Sequence, residues 1–158
     1  MIDFSIFNTS NAFGVKASPA NYIAPFKRPL SSIAPVIVEF PNGTVYVVHA
    51  CAGGSRITTE IAQHLWHVLD QNLTSGAALA SPRMYDQLYP PQVSLEWVEP
   101  DHNMVGYSNQ TAAFLREIGA NVTYVGFESA GQAIRRLANG SFEAAAEPRQ
   151  LASGGYTY

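Results

Sequence analysis

The chain has 158 residues, 47% hydrophobic and 13% charged, with a net charge of −3. That length suits one domain with a core of its own, and the apolar content excludes a disordered tail. Acidic side chains (12) outnumber basic ones (9), no apolar run approaches the roughly 20 residues of a membrane-spanning helix, and Cys51 is the single cysteine; together these argue against an electrostatic nucleic-acid binder, a membrane span, an internal disulfide and a cysteine-based zinc site.

Residues 1–32 read as irregular, because Asn11, Gly14, Pro19, Asn21, Pro25 and Pro29 interrupt any long helix or central strand. A hairpin follows, with strands at 35–40 and 44–50 around a Pro41-Asn42-Gly43 turn. Both runs are nearly all apolar, so both faces of this sheet are expected to be covered. Small residues 50–55 lead into a helix at about 57–71, whose stripe is Ile57, Ile61, Leu65 and Leu69, widened by Ala62, Trp66 and Val68. Ser55 or Thr58 is positioned to cap it, and Glu60 suits its first turn. A shorter helix spans about 74–80 and stops at Ser81-Pro82. A strand is expected near 93–98, a second amphipathic helix at about 107–118 ending on Gly119, and another strand at 122–127. Residues 130–137 suit helix or strand. The Asn139-Gly140 turn and the alternation in 141–144 favour a closing hairpin. The fold class is therefore α/β (α+β), with mostly antiparallel, hairpin-linked strands and helices laid on a face.

Six of the nine asparagines begin an N-x-S/T sequon: Asn8, Asn42, Asn72, Asn109, Asn121 and Asn139. With 21 Ser and Thr in 158 residues, chance supplies roughly one. Asn-Gly turns and helix starts account for two or three of them. The excess favours a glycosylated protein of the secretory pathway, extracellular or at the cell surface. The N-terminus MIDFSIFNTS has none of the features of a signal peptide, so the beginning of the secreted chain is expected to lie elsewhere.

Few residues offer chemistry. Gly53 and Gly54, between a strand and a helix, leave backbone N–H groups able to hold a carboxylate, a phosphate or an acyl-transfer oxyanion; they equally suit a tight turn. Ser31 and Ser32 offer two hydroxyls for a carboxylate, or are turn serines. Asp3 can hold an amine or a cation, or be solvated. His64 and His67 lie three apart, but no further ligand at suitable spacing completes a metal shell. His49 and Cys51 share a strand face, and Cys51 reads as a small buried thiol. No P-loop, dinucleotide fingerprint, G-x-S-x-G or H-E-x-x-H is present.

Longer patterns are more specific. Asn11-Ala-Phe-Gly-Val, Ser18-Pro-Ala-Asn-Tyr-Ile, Lys27-Arg-Pro-Leu-Ser-Ser-Ile and Ala52-Gly-Gly-Ser-Arg-Ile-Thr-Thr resemble the small subunit of γ-glutamyltransferases. The likeness continues through Ser81-Pro-Arg-Met-Tyr-Asp-Gln-Leu, Gln132-Ala-Ile and Glu147-Pro-Arg to Gly155-Tyr, and so covers essentially the whole chain. It implies an N-terminal nucleophile hydrolase fold, two stacked antiparallel sheets between helix layers, present here only in part. Residues 1–158 would be a partial small-subunit domain, with 1–32 an irregular substrate-binding segment and 33–158 the sheet and helices. In that family a precursor cuts itself into two subunits, and the new N-terminal Thr attacks the γ-glutamyl amide of glutathione or a conjugate. The acyl group then passes to water or to an amino-acid or peptide acceptor.

The resemblance assigns roles residue by residue. Asp3 matches the aspartate that holds the donor's α-amino group, Ser31 and Ser32 the pair that binds its α-carboxylate, and Gly53 and Gly54 the oxyanion hole. No cofactor, metal or nucleic acid is implied. The catalytic Thr, its supporting Thr and Asn, and a second acidic residue are expected upstream of Met1; a large subunit would supply a carboxylate-binding arginine and strands against which the apolar faces pack. The chain alone is thus expected to be inactive. Ile2, Phe26 and Tyr85 depart from a common acidic residue, glycine and histidine. A glutaryl or cephalosporin-type acylase of the same fold, or a non-catalytic remnant, stays open as an alternative.

Overall fold

The computed structural model describes residues 3–97, 105–126 and 129–157. Four strands form an antiparallel sheet: β1 (Val36–Glu39), β2 (Val45–Ala52), β6 (Ala130–Arg136) and β7 (Phe142–Ala145), in the order β1-β2-β6-β7. Both expected hairpins are present. Their turns close alike, with Asn42 Oδ1 accepting from Thr44 N and Asn139 Oδ1 from Ser141 N, each ahead of a left-handed glycine. Of residues 130–137, ambiguous in the sequence, 130–136 are strand because β6 pairs with β2.

Register sorts the side chains into two faces. Val47, His49, Ala133 and Arg135 are buried on one. The other carries the row Ile37, Val48, Ile134 and Ala144, in which Ile37 is 63% exposed and Ile134 46%. The expectation that both faces are covered is therefore corrected. Helices lie on one face only; on the other, Gly155 of the C-terminal segment lies against Ala144, while Ile37, Val48 and Ile134 stay exposed.

Those helices are α1 (Ile57–Leu69) and α2 (Ser75–Ala80). A short 3-10 turn, Gly54–Arg56, leads into α1, so neither Ser55 nor Thr58 caps it; Arg56 occupies the N-cap position without a side-chain cap bond. The buried stripe of α1 is Ile57, Glu60, Ile61, His64 and Val68, whereas Trp66 and Leu69 are exposed. The sequence pattern thus placed the helix correctly and its inner face about one position off, because two polar residues occupy the inside.

A second, three-stranded sheet contains β3 (Met84–Asp86), β4 (Val93–Glu96) and β5 (Val122–Val125), ordered β3-β4-β5. β3 was missed in the sequence, being only three residues long. Strands β4 and β5 run parallel, as a connection through helix α3 (Asn109–Glu117) requires. Ser108 caps α3 by accepting from Thr111 N, and Gly119 follows its end at φ +92°. Leu95, Ala112 and Val122 form the core between them. Val98 and Phe127, the expected ends of β4 and β5, lie outside the described residues.

The two sheets meet through buried charge. Arg149 is bound by Glu96 through Nε and, at 2.6 Å, Nη2, and its Nη1 lies 3.0 Å from Glu147. Arg83 Nη2 reaches Glu147 at 2.8 Å and lies 3.6 Å from Glu60, which pairs in turn with His49 Nε2 at 2.8 Å. Backbone carbonyls of Leu79, Ser81 and Ser129 take the remaining guanidinium donors. Gly131 makes room: a Cβ there would strike the Glu60 carboxylate and lie 2.8 Å from Leu79. Its N–H donates to Glu147 Oε2 at 2.9 Å.

Candidate functional site

The irregular N-terminal segment is ordered by side-chain bonds to backbone. Apart from a 3-10 turn at Pro19–Asn21 and two isolated bridges it has no regular structure among its described residues, as the sequence suggested. Asn21, 6% exposed, is its hub. Its Nδ2 donates to Asp3 O at 2.8 Å and to Ser5 Oγ at 3.3 Å, while its Oδ1 accepts from Leu30 N at 2.9 Å. One buried amide therefore fastens the backbone of Asp3 to the residue preceding Ser31 and Ser32. Lys27 is spent on the same frame, donating to Ala20 O and Tyr22 O. The side chain of Asp3 remains exposed, Ser31 exposed and Ser32 half-buried; Ser31 Oγ accepts from Ile33 N at 3.1 Å. Asp3 thus offers an exposed carboxylate, and Ser31 and Ser32 offer hydroxyls, on backbone tied to one buried amide.

Gly53 and Gly54 follow β2 directly. Neither N–H has an acceptor among the described residues, and the start of α1 lies just beyond. Gly54 needs to be glycine: its φ is +61° and a Cβ would collide with the Phe13 ring. Asn11 Oδ1 holds that ring's turn by accepting from Phe13 N and Val15 N, both at 3.0 Å. The Arg56 guanidinium lies over the rings of Phe13 (5.2 Å) and Tyr85 (4.9 Å). Two free amides at a loop pinned from both sides are what an oxyanion site needs.

Beneath the loop, β2 and α1 bring His49 and Glu60 together. Burial pushes the Glu60 carboxyl up, but its hydrogen bond to His49, that ring's charge and Arg83 outweigh it, and its pKa ends below the usual 4.5. Cys51 is half-buried, and its thiol is pushed up to about 12 by burial and then by Glu60, so it is a poor nucleophile. His64 stacks on His49 at 4.0 Å, and neither of its ring nitrogens finds a partner among the described residues. Burial first, then His49, pushes its pKa down to about 4. His67 pairs with Gln71 Oε1 at 2.6 Å and lines a small cleft together with His64. A cleft lies between α1 and the small sheet, lined by Arg56, Glu60, Arg83, Tyr85 and Glu96. None of Asp3, Ser31, Ser32, Gly53 or Gly54 lines it.

The Gamma-glutamyltranspeptidase family matches residues 1–156. The chain belongs to this family. It is 43% identical over 155 residues to the glutathione hydrolase proenzyme of Arthroderma benhamiae, covering 98% of this chain and 25% of that protein. It is 38% identical over 157 residues to the glutathione hydrolase of Aspergillus flavus, with the same two coverages. Among solved structures it is similar to the Gamma-glutamyltranspeptidase of Pseudomonas nitroreducens complexed with L-DON, with TM-score 0.82, 34% identity, and 99% of this chain and 78% of that chain covered. The chain thus spans about a quarter of the length of these curated relatives.

Within that family membership, the residues singled out in the sequence fall into two groups. Asp3, Ser31 and Ser32 are linked through Asn21, and Gly53 and Gly54 form a second group beside Phe13. Sequence reasoning missed Asn21, Phe13, Arg56, Tyr85 and Gln87 as parts of the site. Their signal was present, since Asn21 lies within the Ser18-Pro-Ala-Asn motif and Tyr85 and Gln87 follow Ser81-Pro-Arg. Phe26 stands at φ +61°, fully exposed, which explains why glycine suits that position better.

His64 generates a pH dependence. Its folded pKa, about 4, lies below the ordinary 6.5, so the unfolded chain takes up the proton first. Stability is then fully present above 6.5 and falls as pH drops towards 4. Between pH 6.5 and 5 this histidine should cost about 2 kcal/mol. Glu60, lowered from 4.5, acts only further down. Unfolding curves at the two pH values should show this loss in the native sequence and a much smaller one in His64→Leu. Equal losses would contradict the assignment.

Proposed function

We propose that this chain supplies the donor-binding and oxyanion elements of a γ-glutamyl hydrolase and transferase acting on glutathione and its conjugates. The observation that supports the reading is the Asn21 bridge, which ties the backbone of Asp3, whose side chain is exposed, to that of Leu30, the residue before Ser31 and Ser32. Asp3 takes the donor's α-ammonium and the serines its α-carboxylate, which leaves the γ-amide to be directed at Gly53 and Gly54. The nucleophile is an N-terminal Thr outside these 158 residues, as in N-terminal nucleophile hydrolases, with its own amine as base. Its oxygen adds to the γ-carbonyl, and the two glycine N–H groups receive the oxyanion. Collapse breaks the C–N bond and the amine leaves with a proton, giving a γ-glutamyl ester. Water or an amino-acid amine then attacks that ester through a second oxyanion at the same place.

A large subunit completes the enzyme in this reading, and the open row Ile37, Val48 and Ile134 is suited to pack against it. Secretion is part of the proposal: all six sequon asparagines, Asn8, Asn42, Asn72, Asn109, Asn121 and Asn139, are exposed. Glycosidase treatment of the native protein should lower its mass; an unchanged mass would count against this.

The donor reading is tested by Asp3→Ala in the complete two-subunit enzyme. Turnover (kcat/KM) of a γ-glutamyl anilide should fall about a hundredfold, the cost of losing a charge-assisted contact. Turnover of the glutaryl anilide, which lacks the α-amino group, should change little. Equal falls for both would show that Asp3 does not read the amine.

A further inference from the structure

Tyr85 anchors the glycine loop from the second sheet. It lies on β3 and is 9% exposed, and its Oη is 2.6 Å from Ser55 Oγ and in short contact with Gln87 Oε1. A carboxamide oxygen only accepts, so the single Tyr85 proton goes to Gln87 and the Ser55 hydroxyl donates to Tyr85. Gln87 then uses its Nε2 to donate to Phe13 O at 2.5 Å. The chain of bonds runs from Ser55, the residue after Gly54, to Phe13, whose ring covers Gly54. Arg56, over both rings, closes the cluster.

We propose that Tyr85 is a positioning residue for acyl transfer: through Ser55 it fixes the direction of the Gly53 and Gly54 N–H groups, and through Gln87 and Phe13 it couples them to the segment bearing Asp3. The inference rests on the reading of this site as a γ-glutamyl acyl-transfer site. Its physical basis is the freedom of glycine. Two successive glycines have little steric reason to hold one orientation of their peptide planes, and an oxyanion hole works only when its donors are aimed beforehand. The Gly54 N–H shares a peptide plane with Gly53 O, which accepts from Arg56 N at 3.2 Å, and Ser55 lies inside that turn, so holding Ser55 holds the turn that aims the plane. The hydroxyl of Tyr85, rather than its ring, makes that link. The ring fills space whether or not the hydroxyl is present, and this separates positioning from packing.

The test uses the complete enzyme carrying this chain with Tyr85→Phe. Removing a donor from an oxyanion hole costs about 100- to 1,000-fold in kcat, so loosening one should cost about tenfold. The KM for the γ-glutamyl anilide should stay within about threefold. Affinity for a boronic acid analogue of glutamate, which forms a tetrahedral adduct, should fall about tenfold, while affinity for L-glutamate holds. Ser55→Ala breaks the same link without disturbing the buried ring and should match these changes; the double variant should be no worse than either single one. An unchanged kcat in folded Tyr85→Phe, multiplying effects in the double variant, or equal losses for boronate and glutamate would each overturn the proposal. If Tyr85→Phe does not fold, Ser55→Ala decides, and an unchanged kcat there overturns it. A native enzyme that turns over no γ-glutamyl anilide overturns the underlying site reading as well, whereas an active one with unaffected variants overturns only the role of Tyr85.

Discussion

Buried charge, more than apolar packing, joins the parts of this chain. Glu60, Glu96 and Glu147 face Arg83, Arg149 and His49, nearly all out of water. Burying such groups is costly, and the arrangement holds only because each carboxylate meets at least one cation and backbone carbonyls take the spare guanidinium donors. Removing one partner would leave an unpaired buried charge, at about 3–5 kcal/mol. Gly131 is the steric counterpart, since any side chain there would displace Glu60.

The network also explains where the site sits. Glu60 belongs to the first turn of α1 and His49 to the last half of β2, and the Gly53–Gly54 loop joins these two elements. A fixed His49–Glu60 pair therefore fixes both ends of the loop. Arg83 leads into β3, which presents Tyr85 to Ser55. Gly53 and Gly54 thus lie on irregular backbone that is referred to this buried frame. Asn21 does the same for the N-terminal segment on a smaller scale, with three side-chain bonds in place of a strand or helix.

Much of this was legible in the sequence. The hairpins at 36–52 and 130–145 followed from Asn-Gly turns between β-branched runs, and α1 from its periodicity. Position along the chain was easier to read than what lies inside. Periodicity counts apolar residues, so Leu69 and Trp66 looked internal while Glu60 and His64 took the inner face. The open sheet face was misread because an apolar strand looks the same whether its cover is in the same chain or not. Asp3, Ser31 and Ser32 are single polar residues with no local pattern of their own. Only the long motifs singled them out, and the bonds of Asn21 show how the backbone at Asp3 is tied to that just before Ser31.

Each assigned role reduces to where a bound donor's charged groups lie. A crystal structure of the complete enzyme with L-glutamate bound is the most direct measurement. The ammonium should lie within hydrogen-bond distance of the Asp3 carboxylate, the α-carboxylate on the Ser31 and Ser32 hydroxyls, and a γ-carboxylate oxygen on the Gly53 and Gly54 N–H groups. Glutamate bound elsewhere, or bound here with Asp3 and the two serines facing solvent, would contradict it.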